Sequence, residues 1–82
     1  MGRKGTSMNR ERRAKLKEII DNIEKVKGKL REVLNDEENA FDNMPENLQS
    51  SMRGEESQEA MDSMEEAVDL LEEAIEQLNS IN

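Results

Sequence analysis

Eighty-two residues make one domain at most, near the length at which a lone hydrophobic core is marginal. Hydrophobic residues make up 33%, charged residues 39%, and Phe41 is the only aromatic, which is too little Val, Ile and ring for a β-sandwich or an α/β sheet. The chain has neither Cys nor His, which excludes disulfides, thiolate or imidazole zinc sites, Cys nucleophiles and His-dependent triads.

The net charge of -8 is unevenly spread. Residues 1–31 hold eleven Lys and Arg against four acids, whereas residues 32–82 hold sixteen acids against Arg53 alone. The two halves attract each other, or each other's copies. No apolar run approaches the ~20 residues of a membrane span, and no signal-peptide core follows the basic start. The expected setting is the cytoplasm, with no membrane partner.

Residues 1–8 carry no periodicity and include a second Met at Met8. They read as a flexible leader, an expression remnant or an upstream start, ahead of a single helical domain over 9–82. Residues 9–44 read as the first long helix. With Leu16 as heptad position a, the a row is Leu16, Ile23, Leu30, Glu37 and Met44, and the d row is Ile19, Val26, Val33 and Ala40. Ile20, Leu34 and Phe41 add an apolar row at e. So wide a stripe predicts contact with more than one neighbour. Gly28 falls on the outer surface, where it costs about 1 kcal/mol in helix propensity and disturbs no packing.

The break comes at Asp42-Asn43-Met44-Pro45-Glu46, because Pro disfavours helix at the residue before it and suits the start of a new one. Residues 45–53 are expected to form one or two helical turns stopped by Gly54. A second long helix is expected from about 55–57, with Glu55, Glu56 and Glu59 at the positive end of its dipole. Residues 60–80 are three heptads that place Met61, Met64, Val68, Leu71, Ile75 and Leu78 in one stripe. Such a stripe must be covered, and the fold class is therefore all-α: an antiparallel helical hairpin assembling as a homodimer into a four-helix bundle. Pairing residues whose numbers sum to about 101 sets a against d, giving Ile23 with Leu78, Val26 with Ile75, Leu30 with Leu71, Val33 with Val68 and Ala40 with Met61. The same register brings Lys27 near Glu72.

Several patterns could carry function. Asp62, Glu65, Glu66, Asp69, Glu72, Glu73 and Glu76 form acidic rows that could mimic a DNA backbone in the basic groove of a nuclease or DNA-binding protein. The plainer reading is a solvated helix face. Glu55-Glu56-Ser57-Gln58-Glu59 matches part of the carboxylate motif of helical nucleotide hydrolases. The E-x-x-D those enzymes carry on a later helix is here only Glu66 to Asp69, on the same helix. Asp36-Glu37-Glu38-Asn39-Ala40-Phe41 lacks the Gly of an EF-hand loop. No catalytic, cofactor or metal residues are assigned, and the chain reads as a non-enzyme.

The basic cluster Arg10, Arg12, Arg13, Lys15 and Lys17, with Arg3 and Lys4, could hold phosphates, but no aromatic is available to stack bases and the net charge repels nucleic acid, so direct nucleic-acid binding is not expected. Phe41, Met44, Leu48, Met52, Met61 and Met64 gather at the turn, as a plug or as an adaptable docking surface, with Leu48 folding back on Phe41 or Met61. Glu37, at an a position, is the one polar residue at a core position, and Arg53 is the only cation in the acidic half that could answer it. Ile20, Leu34, Phe41, Leu48, Ala67, Leu70 and Ala74 are the expected oligomer or partner interface, because they flank the paired stripes.

Ala40-Phe41-Asp42-Asn43-Met44-Pro45-Glu46-Asn47-Leu48-Gln49, with Ser51, Gly54 and the Glu-Glu-Ala heptads that follow, resembles a group of small proteins encoded in phages and prophages of Gram-positive bacteria. The resemblance covers about residues 8–80 and is most specific over 40–54. It implies a bacterial host cell and a small adaptor or inhibitor of a host protein, and it carries no catalytic residues.

Overall fold

The computed structural model describes residues 9–81. Three helices follow one another: α1 (Arg10–Asp42), α2 (Glu46–Gln49) and α3 (Met52–Asn79). The long α1 and α3 lie against each other as an antiparallel hairpin, 66 × 17 × 12 Å in extent. Among the described residues there is no strand.

Asn9 starts α1. Its backbone is extended and its Oδ1 accepts from the Arg12 N–H at 2.8 Å, satisfying one of the free donors of the first turn. The helix ends two residues short of Met44, since Met44 precedes Pro45 and is held out of the helical region. The Pro45 carbonyl then accepts from the Leu48 and Gln49 N–H groups, at 2.9 and 3.1 Å, to build the single turn of α2.

Gln49 closes the corner. Its Nε2 donates to the Phe41 carbonyl at 3.0 Å, which also accepts from the Met44 N–H, and to the Met44 carbonyl at 3.2 Å beyond the end of α1. The Ser51 hydroxyl donates to the Leu48 carbonyl.

Gly54 does not stop a helix. It is buried in the first turn of α3, which starts at Met52, three residues earlier than the acids suggested. A Cβ there would lie 2.1 Å from the Gln49 carbonyl oxygen and 2.6 Å from that of Leu48. The glycine is needed for close approach: the end of α2 rests on the backbone of α3.

The stripe of α3 faces α1 as its heptads require, with Val68 and Ile75 each 5% exposed and Met61, Met64, Leu71 and Leu78 partly buried. On α1 the inward residues are Leu16, Ile20, Ile23, Lys27, Leu30, Leu34, Glu37 and Phe41. This is the a row with the e row, not the a row with the d row. Val26 and Val33, expected against Ile75 and Val68, are 54% exposed, and Ala40 is exposed as well.

Two causes favour this rotation. It buries Phe41, the largest apolar side chain of the chain, where the other choice would bury Ala40. It also gives both polar residues of the inward face a partner. Lys27 Nζ reaches Glu72 Oε1 at 3.5 Å, and Ser57 Oγ donates to Glu37 Oε2. Glu37 is thus answered by a buried serine and not by Arg53, which is exposed.

At the turn end the apolar cluster is smaller than the sequence suggested. Phe41 is buried, and Met44, Met61 and Met64 are partly so, but Leu48 is 39% and Met52 75% exposed. Leu48 does not complete the plug, because the inward place on α2 is taken by Gln49, whose amide donates to the carbonyls of Phe41 and Met44.

Candidate interaction surface

An α-helix turns about 100° per residue, so each inward stripe has two neighbouring rows, one on either side. The helices run antiparallel, and the row that follows the stripe therefore lies on the same side of the hairpin in both. That flank carries Lys17, Glu24, Arg31 and Glu38 from α1 with Gln58, Glu65, Glu72 and Asn79 from α3.

Its charges are joined. Lys27 Nζ lies 3.5 Å from Glu24 Oε1 and 3.5 Å from Glu72 Oε1, and Arg31 Nη2 lies 3.7 Å from the same Glu72 oxygen. The Lys27 side chain is 18% exposed, so its two ion pairs are partly shielded from water, whereas Arg31 at 61% contributes ~1 kcal/mol at most. This cluster bridges the helices at mid-length and fixes their register.

The opposite flank is apolar. From α1 it presents Ile19 (46% exposed), Val26 and Val33 (both 54%), with Ala40 continuing the row. From α3 it presents Ala60, Ala67 and Ala74, with Leu70 (59% exposed) one step further around. A shallow groove there is lined by Leu70, Glu73, Ala74, Gln77 and Leu78. Val26 and Val33 stand at about the heights of Ala74 and Ala67, as the Lys27–Glu72 contact requires.

The residues expected at an interface thus divide. Ile20, Leu34 and Phe41 belong to the interior of the hairpin, whereas Ala67, Leu70 and Ala74 lie on the apolar flank and Leu48 stays half open at the tip. Sequence reasoning missed Ile19, Val26 and Val33, which it assigned to the seam. The signal was Lys27: a cation drawn to Glu72 of the other helix marks its own row as the inward one.

The acidic face is spread over the outer surface of α3. Asp62, Glu65, Glu66, Asp69, Glu73 and Glu76 are exposed, and among the described residues only Glu72 of these seven acids is ion-paired. No three acidic side chains among the described residues converge as a metal site would need. A notch of about 280 Å³ at the open end is lined by Leu16, Ile20 and Leu78 with Arg13, Lys17 and Asp21 at its edge. Among the described residues no helix is long and apolar enough to cross a membrane. Comparison with known proteins adds no relative: no family model, no curated protein and no solved structure matches the chain.

Proposed function

We propose that this chain is a non-enzymatic interaction module, a helical hairpin that self-associates and binds or inhibits another protein, in the cytoplasm of a Gram-positive bacterium carrying the phage genome that encodes it. One observation carries the reading: a row of half-exposed branched residues, Ile19, Val26 and Val33, runs beside Leu70 along one flank of the hairpin. Large side chains in a continuous exposed row mark a surface that a partner covers. The phage setting rests on the resemblance over residues 40–54.

A second reading, an acidic mimic of DNA that occupies a nuclease or a DNA-binding protein, is favoured by the exposed acids Asp62, Glu65, Glu66, Asp69, Glu73 and Glu76 of α3, none of them ion-paired among the described residues. Salt separates the two, because contacts between exposed charges are screened over about 10 Å at 0.1 M while apolar contacts are not. The tagged chain is passed through a lysate of a Gram-positive host and any stoichiometric partner is eluted along a salt gradient. A partner held at high salt supports the module, and one lost steeply with salt supports the mimic. A chain that is a folded monomer and holds no partner defeats both.

A further inference from the structure

We infer that the apolar flank is the seat of a second copy of this chain, packed end over end, so that α1 meets its partner's α1 and α3 its partner's α3. The inference deepens the self-association proposed above and rests on it; what it adds is the face and the orientation.

The row on this flank is self-complementary about a single point. Ile19, Val26, Val33 and Ala40 are evenly spaced, seven residues apart. A two-fold axis crossing between Val26 and Val33 sets Val26 against the partner's Val33 and Ile19 against the partner's Ala40. The same axis crosses α3 beside Leu70, between Ala67 and Ala74, which then face one another. Two-fold contact requires such a patch, since one surface must serve both sides. The small Ala row on α3 lets the partner's helix approach closely, and Leu70 meets its own copy near the axis.

Charge sets the orientation. The turn half of the hairpin, residues 32–68, holds twelve acids against Arg53 alone. The open half, residues 9–31 and 69–81, holds nine Lys and Arg against eight acids. Copies packed side by side in the same sense would stack one strongly acidic half on another. Packed end over end, each acidic tip, with Asp42 and Glu46, lies beside its partner's Arg10, Arg12, Arg13 and Lys15. Glu66 approaches the partner's Glu73 at the rim, where both are exposed and salt screens them. The other flank is not available for this packing, because its charges are already joined through Glu72.

The test uses light scattering, circular dichroism and spin labels on the full chain. The wild type is expected at twice its chain mass of 9.4 kDa. Val26→Asp with Val33→Asp should halve that mass and keep the helix signal, since both positions point outward. Val26→Thr with Val33→Thr, which keeps the side-chain shape, should weaken dimerisation several-fold. Glu38→Ala with Glu65→Ala, on the charged flank, should change nothing. The chain has no Cys, so single labels are clean. Lys29→Cys, exposed beside the Val26–Val33 row and at the height of the axis, should give a short distance between copies. Asn47→Cys, at the tip, should give about 40 Å or more, from ~1.5 Å of rise per residue on either side of the axis.

A dimer that survives both valine pairs overturns the face while leaving self-association standing. Two short label distances overturn the orientation. A wild-type monomer overturns the self-association itself.

Discussion

Two apolar rows run side by side along α1, one residue apart, and they meet opposite fates. Ile20, Leu34 and Phe41 turn toward α3, and Ile19, Val26 and Val33 turn away. The outward row is the more uniformly apolar of the two, since the inward one is interrupted by Lys27. Burial is therefore not decided by counting apolar residues. It is decided by the largest ring and by whether the polar residues that come with a row find partners, which Lys27 does in Glu72 and Glu37 does in Ser57.

That contrast can be broken by substitution, read from denaturant melts at a concentration where the chain is monomeric. Phe41→Ala should cost the most, about 3 kcal/mol, as for a buried aromatic. A loss under about half a kcal/mol would return Phe41 to the outer surface. Leu34→Ala should cost about 2 kcal/mol and its neighbour Val33→Ala less than about half a kcal/mol; equal losses would erase the distinction between the rows. Ser57→Ala removes the hydroxyl that answers Glu37 and should cost about 1–2 kcal/mol. A neutral result would mean water serves Glu37 as well. Smallest of all is Lys27→Leu, expected within about 1 kcal/mol of the parent in either direction, because a half-exposed pair exchanged for apolar packing is close to neutral. A loss of several kcal/mol would make the Lys27–Glu72 contact a main support of the hairpin.

Much of the architecture could be read from the residues. The heptads of residues 60–80 give the inward stripe of α3 directly, Met44-Pro45 gives the break, and the two together give an antiparallel pair. Lys27 was placed near Glu72 by register alone. The rotation of α1 was not legible, because apolar side chains at a, d and e leave two stripes of similar strength and only the partner helix chooses between them. Gly54 misled for a related reason. Its ordinary use is to end a helix, and the carbonyls of Leu48 and Gln49 that forbid it a side chain come close only once α2 has folded onto α3. The interface residues followed the rotation: Ala67, Leu70 and Ala74 sit on the open flank, and Ile20, Leu34 and Phe41 do not.

The corner built by Gln49 also sets an order of events in time. Its contacts join Phe41 and Met44 to a residue eight and five positions on, and the Ser57–Glu37 bond spans twenty, whereas Lys27 and Glu72 are forty-five apart. Contacts of short sequence separation close first, because the entropy lost in forming a loop grows with its length. The hairpin should therefore zip from the corner toward its open end. Substitutions at Gln49 or Gly54 slow folding, and those at Ile20 or Leu78 mainly hasten unfolding. The open end frays first, so the Arg- and Lys-rich start of α1 is the part of the molecule most often released into water.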